Sequence, residues 1–302
     1  MFRKYINDNL IVSTGNLLVR AQTFVLMPII IKNSNINTYG NFIIIISFFF
    51  LLTGISSFGI GTLYKRFFPT TNNVKRKQVL FYSQFVIHLI FVFCICIIIY
   101  FFDNFFKKVI FDEKISFNII YPIIFFALNV IITQLSNYFR YSSKMLSYTI
   151  STTFTPYIVV IGIITSIFYF EINIDNLFLI HIFSYLVVIL LISYNIIYDL
   201  GINLNIFKSY DFKKDIKLGF PLVLMFISTA LVSTSDRYIL LHFLSSKEVG
   251  EFSVAYSIGS LVLFFPMVIG VVLPPLLAKI EDGNLLLKKY DIILINIKFY
   301  LI

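Results

Sequence analysis

The stretch 219–256, GFPLVLMFISTALVSTSDRYILLHFLSSKEVGEFSVAY, decides the fold that we expect for this chain. It consists of two apolar segments joined by a short polar turn, and the ionisable pair Asp236 and Arg237 lies inside the first segment. Ionisable side chains are costly at membrane depth, so their presence there indicates a functional site. The stretch therefore predicts membrane helices arranged around a polar site.

The composition of the whole chain also predicts an integral membrane protein. Of its 302 residues, 59% are hydrophobic and 13% are charged, whereas soluble proteins carry roughly 25% charged residues. The net charge of +9 comes from Lys and Arg in short connections between apolar runs, which argues against nucleic acid as a partner. Cys94 and Cys96 share one apolar run and lack the spacing of a metal or disulfide site. We expect no metal and no cofactor.

Apolar runs of about 20 residues are long enough to cross a bilayer as helices. We predict eight complete spans, at 10–32, 42–64, 79–102, 117–139, 147–170, 177–198, 218–241 and 252–277. A partial ninth span begins near Tyr290 and stops at Ile302. Its helix would reach only about 19 Å into a core of roughly 30 Å, so we expect a truncated form of a longer gene product. The predicted fold class is an all-α polytopic membrane protein.

Lys and Arg in the short connections predict the orientation, because positive residues stay cytoplasmic. With the N-terminus inside, sixteen of them are cytoplasmic: Arg3, Lys4, Lys65, Arg66, Lys75, Arg76, Lys77, Arg140, Lys144, Lys208, Lys213, Lys214, Lys217, Lys279, Lys288 and Lys289. Five lie outside: Lys32, Lys107, Lys108, Lys114 and Lys247. We therefore predict a cytoplasmic N-terminus.

A weak internal repeat divides the chain into two units. Tyr39-Gly40-Asn41-Phe42 joins spans one and two, and Val249-Gly250-Glu251-Phe252 joins spans seven and eight. Both turns are predicted to be outside, so the repeats are parallel, as in a transporter with two lobes related by an axis along the membrane normal. We predict a six-helix N-terminal lobe at 1–200 and an incomplete C-terminal lobe at 201–302.

Two sets of polar residues are candidates for a site inside the membrane. Ser13, Asn16, Arg20 and Thr23 form one stripe along span one. Arg20 either lines a substrate cavity or binds backbone carbonyls of a neighbouring helix. Asp236 and Arg237 are adjacent and therefore splayed, so they contact different partners. They either line a cavity or lie at the outer interface, where an arginine extends into the head groups.

Three histidines and one glutamine remain outside these two sets. His88, His181 and His242 show no metal-ligand spacing. For His88, a packed neutral histidine is favoured over proton coupling. Gln22 is predicted to form a helix–helix contact.

The chain resembles the polysaccharide and O-antigen flippases of the multidrug/oligosaccharidyl-lipid/polysaccharide exporter superfamily. Two blocks carry the resemblance. The first comprises Asn16-Leu17-Leu18, Tyr39-Gly40, Phe58-Gly59 and Lys65-Arg66-Phe67; the second comprises Gly219-Phe220-Pro221, Ser235-Asp236-Arg237-Tyr238 and Val249-Gly250-Glu251-Phe252-Ser253-Val254-Ala255-Tyr256. Phe252 stands where the family usually has Tyr.

The resemblance implies roughly twelve to fourteen membrane helices in two lobes around a central cavity, in the bacterial cytoplasmic (inner) membrane. The implied activity is passage of an undecaprenyl-diphosphate-linked oligosaccharide to the outer leaflet. The substrate-binding residues would be Arg20 and Arg237, which meet the pyrophosphate, with Asn16 and Thr23. Asp236 would tune Arg237 or couple transport to a proton or sodium ion.

Three other functions stay open at this point. A drug or cation antiporter of the same superfamily would be expected to line its cavity with acidic residues and aromatics, whereas the charges inside these spans are mainly cationic. A membrane glycosyltransferase or polymerase would show a large outer loop, and no connection here is long enough, so we expect no enzymatic activity. A non-functional truncated relic is the third alternative.

Overall fold

The computed structural model describes residues 2–57, 59–111, 115–202 and 210–263, together with residues 268, 270–272 and 274. Over these residues the chain is helical and contains no strand. The helices are α1 (Phe2–Asn33), α2 (Ile36–Ser56), α3 (Thr62–Phe67), α4 (Val74–Phe101), α5 (Asp103–Ile110), α6 (Ile120–Tyr141), α7 (Met145–Ser166), α8 (Ile174–Leu200), α9 (Phe212–Phe243) and α10 (Ser246–Gly259), followed by a 3-10 turn at Ser260–Leu263.

Seven of the described helices are long and apolar enough to cross a membrane: α1 from Ile6, α2, α4, α6, α7, α8 and α9. They correspond to the first seven predicted spans, so the prediction of a polytopic all-α membrane protein is confirmed. The predicted eighth span starts within α10, and most of its residues beyond 263 lie outside the described residues, as does the whole predicted ninth span.

The second span differs most from its predicted bounds of 42–64. Helix α2 begins at Ile36, because the side chain of Asn35 caps it by accepting a hydrogen bond from Thr38 N at 2.7 Å. The helix ends at Ser56, and two glycines in the following turn have positive φ, Gly59 at 74° and Gly61 at 90°. Glycine adopts that conformation without steric cost. The apolar run continues through this turn although the helix does not, so hydropathy placed the end too late.

An aromatic cluster holds the short helix α3 against α4 and α6. The Tyr64 ring centroid lies 4.8 Å from that of Phe68 and 5.4 Å from that of Tyr141, and the Phe81 centroid lies 5.3 Å from that of Tyr138. All five residues are buried. Aromatic pairs of this geometry contribute about 0.5–1.5 kcal/mol each beyond the area they bury. The turn before α3 is therefore supported by a packed scaffold.

Connections rich in Lys and Arg lie at one end of the bundle, which we call the basic end. Here the carboxyl end of α8 meets the amino ends of α4 and α7. Gln78 Nε2 donates to Leu200 O at 2.7 Å, and the ammonium group of Lys144 pairs with the Asp199 carboxylate at 2.5 Å. The charge distribution predicts that the basic end is cytoplasmic.

The helix pairs α1–α2 and α9–α10 have matching dimensions, since α1 and α9 each have 32 residues and each is followed by a tight turn. Helices α2 and α10 cross at Gly40 and Gly250. A Cβ on Gly40 would lie 1.9 Å from the Ser246 carbonyl oxygen, and one on Gly250 would lie 2.7 Å from the Ile36 carbonyl oxygen. The contact is reciprocal, because each carbonyl precedes its own helix's glycine by four residues. This reciprocity supports the predicted parallel repeat.

Candidate functional site

Arg237 projects from α9 toward both α2 and α10. Its Nη1 donates to Ser47 Oγ at 2.8 Å, and its guanidinium carbon lies 5.2 Å from the centroid of the Tyr256 ring. Ser47 donates its own hydroxyl to Ile43 O, so its oxygen is available to accept. The Nε atom of Arg237 is buried and has no hydrogen-bond partner among the described residues. The guanidinium group therefore keeps an unused donor.

Arg20 reaches from α1 to the end of α10. Its Nη1 donates to the Ser260 carbonyl oxygen at 2.8 Å and lies 3.3 Å from Ser260 Oγ. Carbonyl groups at the end of a helix lack partners within the helix, so an arginine satisfies one here. Tyr256 and Ser260 are four residues apart, about one helical turn. Arg20 and Arg237, the arginine pair, therefore contact adjacent turns of α10.

The other residues of the predicted site fall into two groups. Asn16 lies one turn from Arg20, and its Nδ2 atom is buried without a partner among the described residues. Thr23 is exposed and donates its hydroxyl to Val19 O of its own helix at 3.4 Å. The Asn16 amide nitrogen is thus buried one turn from Arg20, whereas Thr23 is exposed.

Asp236 is partly buried and forms no hydrogen bond or ion pair with a described residue. It does not pair with the adjacent Arg237, which agrees with the splayed arrangement expected for neighbours on a helix. Its role in tuning Arg237 or in ion coupling stays a prediction.

A buried carboxylate at the basic end joins α9 to the turn before α3. Asp215 is 1% exposed. Its two oxygens accept hydrogen bonds from Gly61 N and Leu63 N, both at 2.8 Å, and Tyr210 Oη donates to it at 2.5 Å. Burial raises the pKa of the Tyr210 phenol, and the bond to the Asp215 carboxylate raises it further. The carboxylate therefore caps α3 from a different part of the chain.

The backbones of the same two segments touch one turn further along α9. A Cβ on Gly219 would lie 1.8 Å from the Gly59 carbonyl oxygen, and one on Gly59 would lie 2.1 Å from the Gly219 carbonyl carbon. Only two glycines fit at this separation. We call the Asp215 cap and this glycine crossing together the α3–α9 contact.

A second link at the basic end comes from Arg140 at the end of α6. Its Nε donates to Val271 O at 3.0 Å and its Nη2 to Gly270 O at 2.5 Å. Burial lowers the pKa of the nearby Lys65 ammonium, and the positive charge of Arg140 lowers it further, while Asp215 acts in the opposite direction. At the basic end, the start of α9 is thus held by the turn before α3, and Gly270 and Val271 are held by α6.

Comparison of the sequence with known protein families identifies the family of this chain. Residues 6–281 match the family described as polysaccharide biosynthesis protein. The chain belongs to this family. Its fold is similar to that of the MATE transporter VcmN of Vibrio cholerae, whose crystal structure was determined as a mutant. The TM-score is 0.70 at 13% sequence identity, and the match covers 92% of this chain and 65% of that transporter. No curated protein matches the sequence significantly.

These matches place this polysaccharide biosynthesis protein in the multidrug/oligosaccharidyl-lipid/polysaccharide flippase superfamily, as the sequence predicted. The chain spans 65% of the length of the Vibrio transporter. The similarity in structure shows the fold only. The substrate has to be inferred from the residues of the candidate site.

His88 is buried in the N-terminal part of the protein within a satisfied hydrogen-bond chain. Gln134 Nε2 lies 2.8 Å from Nδ1, and Ser56 Oγ lies 3.2 Å from Nε2. Ser56 donates its own hydroxyl to Thr53 O, so it accepts from Nε2–H in the tautomer protonated there. Such an arrangement favours the packed neutral histidine over proton coupling.

Gln22 lines a cavity of about 440 Å³ among α1, α6, α7 and α8, and its predicted helix–helix contact stays a prediction. Hydroxyl and amide groups contribute part of the wall, including Thr133, Ser136, Asn137 and Ser151. Among the described residues, no group of three His, Cys, Asp or Glu side chains is placed to hold a metal ion.

Sequence reasoning missed the Asp215 carboxylate and the partnership of Gly59 with Gly219. Both glycines belong to the blocks that carry the family resemblance. Asp215 lies at the start of α9 and was not singled out from the sequence, where it stands among Lys208, Lys213, Lys214 and Lys217. A carboxylate within a basic stretch, four residues before a glycine, was the available signal.

Proposed function

We propose that this protein flips an undecaprenyl-diphosphate-linked oligosaccharide from the cytoplasmic to the outer leaflet of the bacterial inner membrane. The observation that carries the proposal is the convergence of Arg20 and Arg237 on adjacent turns of α10. The family match to polysaccharide biosynthesis proteins supports it.

A pyrophosphate group that enters the membrane interior needs cationic donors, because an unpaired charge is costly there. Guanidinium groups suit phosphate oxygens, since their planar donors bind in a bidentate way. The unused Nε of Arg237 and the unpartnered Nδ2 of Asn16 are donors that such a substrate would satisfy. Both belong to helices that meet α10, so one anion would bridge two parts of the bundle.

The membrane potential favours this direction of transport. With the cytoplasm negative, each negative charge moved outward gains about 2.3 kcal/mol per 100 mV. The empty cationic site then turns back toward the negative cytoplasm, a step that the same potential also favours. We propose in addition that a proton or sodium ion accompanies one step. Asp236 is the candidate acceptor, because it lies beside Arg237 and has no partner among the described residues.

Export of a drug or cation is the alternative, and the likeness to a MATE transporter favours it. An acidic site would be expected for a cationic substrate, however, and the contacts with α10 come from two arginines.

We also propose transport rather than catalysis, because the described connections between helices are short.

Deleting the gene from its host tests the proposal. We expect surface polysaccharide to be lost and the lipid-linked oligosaccharide to accumulate, because its synthesis continues on the cytoplasmic leaflet. Chemical analysis of the surface glycan and of extracted lipid measures both, with re-expression of the wild-type gene as the control. Unchanged surface glycan together with increased sensitivity to cationic drugs would instead support the antiporter.

A further inference from the structure

A second cavity opens at the basic end, between the α3–α4 region and the start of α9. Its volume is about 500 Å³. The lining residues are Leu63, Phe67, Asn73, Lys75, Arg76, Val79, Leu80, Tyr210, Asp211 and Lys214. We call this cavity the basic pocket. Neither Arg20 nor Arg237 lines the basic pocket, and neither do their contacts Ser260 and Tyr256.

Three cationic side chains of the basic pocket are unpaired. Among the described residues, Lys75, Arg76 and Lys214 form no ion pair or hydrogen bond through their side chains. Asp211 carries the one carboxylate among the lining residues. It caps α9 by accepting a hydrogen bond from Lys214 N at 3.0 Å and pairs with none of the three cations. The pocket therefore presents a net positive charge toward whatever enters it.

The backbone adds to this positive potential. Helix α4, of 28 residues, and helix α9, of 32 residues, both begin at the pocket wall. The amino end of a helix carries a partial positive charge and favours anions, phosphate groups above all. The cations and the two helix ends converge from opposite walls, so the charge is concentrated within one cavity.

The remaining wall is apolar and points to an amphiphilic ligand. Leu63, Phe67, Val79 and Leu80 line the pocket beside the cations. A free phosphate ion gains nothing from such a wall, whereas the glycerol and upper acyl carbons of a phospholipid would bury against it. Basic pockets between membrane helices at the cytoplasmic surface suit anionic headgroups.

We propose that the basic pocket binds a phosphate group, supplied by the headgroup of an anionic phospholipid. The phosphate lies between Arg76 of α4 and Lys214 of α9, with Lys75 beside it. Because Leu63 and Tyr210 belong both to the pocket wall and to the α3–α9 contact, the bound lipid bridges the two sides of that contact and holds them together.

Two double variants with equal loss of charge test this proposal. Arg76→Gln/Lys214→Gln removes one cation from each wall, and Lys213→Gln/Lys217→Gln removes two exposed cations of α9 that do not line the pocket. The full chain is purified in detergent, and bound phosphatidylglycerol is measured by native mass spectrometry and by the rise in melting temperature on adding the lipid. Phosphatidylcholine serves as the uncharged comparison.

We expect phosphatidylglycerol, but not phosphatidylcholine, to bind and stabilise the wild type and the Lys213/Lys217 variant. The Arg76/Lys214 variant should bind it about tenfold more weakly. Competition by millimolar inorganic phosphate would support the phosphate site but assign it to a soluble ion, and absence of competition supports the headgroup. Equal weakening in both double variants, or unchanged binding in the Arg76/Lys214 variant, would overturn the proposal. The melting temperature without lipid shows whether each variant is folded.

Discussion

Replacement of Gly219 by leucine is expected to abolish transport, whereas the same replacement at Gly259 leaves transport near the wild-type rate. A Cβ at Gly219 would stand 1.8 Å from the Gly59 carbonyl oxygen, a distance that no packed atoms tolerate. The obstacle is backbone, so no side-chain rotation relieves it. At Gly259, no heavy atom of the described residues lies within 4 Å of the added Cβ, apart from the two chain neighbours and the local backbone of its own helix.

The α3–α9 contact joins α9 to the turn before α3 at the basic end. Overpacking at a close contact costs about 1–3 kcal/mol and occasionally more. In the proposed alternating-access cycle, a shift of about 3 kcal/mol changes the ratio of two conformations by roughly 150-fold. We therefore expect Gly219→Leu to act on the conformational equilibrium as well as on folding.

Three measurements separate these effects for the two leucine variants. Surface polysaccharide reports transport, membrane protein level reports folding in the cell, and the melting temperature in detergent reports stability. Normal surface polysaccharide in cells carrying Gly219→Leu at the wild-type protein level would show that the α3–α9 contact is dispensable. Replacement at Gly59 should be at least as harmful, because that residue also has a φ of 74°.

Arg237→Ala is expected to reduce transport by about tenfold to hundredfold, the effect of losing charge-assisted hydrogen bonds to a phosphate group. Arg237→Lys should fall between the alanine variant and the wild type, because lysine keeps the charge but lacks the planar fork of donors. Arg66→Ala is the matched control, since Arg66 is an exposed arginine whose only described contact is with the Phe67 ring at 5.5 Å.

The lysine variant distinguishes substrate binding from a structural role of Arg237. Arg237 also donates to Ser47, so the alanine variant loses one contact between α9 and α2. If the role were structural, melting temperature would fall along with surface polysaccharide in both variants. Normal surface polysaccharide at normal protein level in the alanine variant would remove Arg237 from the substrate site.

Hydropathy was sufficient to predict the seven described spans, because each crossing requires a long apolar run. It placed the ends poorly, since helix ends follow capping residues rather than the edge of the apolar run. Asn35 and Asp211 each cap a helix that begins six residues before its predicted start. The turn at Gly59 and Gly61 was missed because hydropathy contains no information on φ.

The sequence showed Gly40 and Gly250 at equivalent positions of the internal repeat. The structure shows why both are glycine, because a Cβ at either position would clash with a carbonyl oxygen of the facing helix. The site was predicted less completely. Helical spacing grouped Asn16 with Arg20, a grouping that stays a prediction, but it could not show which residues at the end of α10 each arginine contacts. Asp215 was missed for a similar reason, because its partners lie more than 150 residues earlier in the chain.

The measurement that tests the central claim most directly uses the purified protein in vesicles that contain a fluorescent undecaprenyl-diphosphate-linked oligosaccharide. Access of a soluble glycosidase to the labelled glycan reports movement between leaflets. We predict that the wild type moves the lipid, faster when the leaflet of origin faces the negative side, and that Arg237→Ala moves it about tenfold to hundredfold more slowly. Equal rates for the wild type, for Arg237→Ala and for protein-free vesicles would contradict the account.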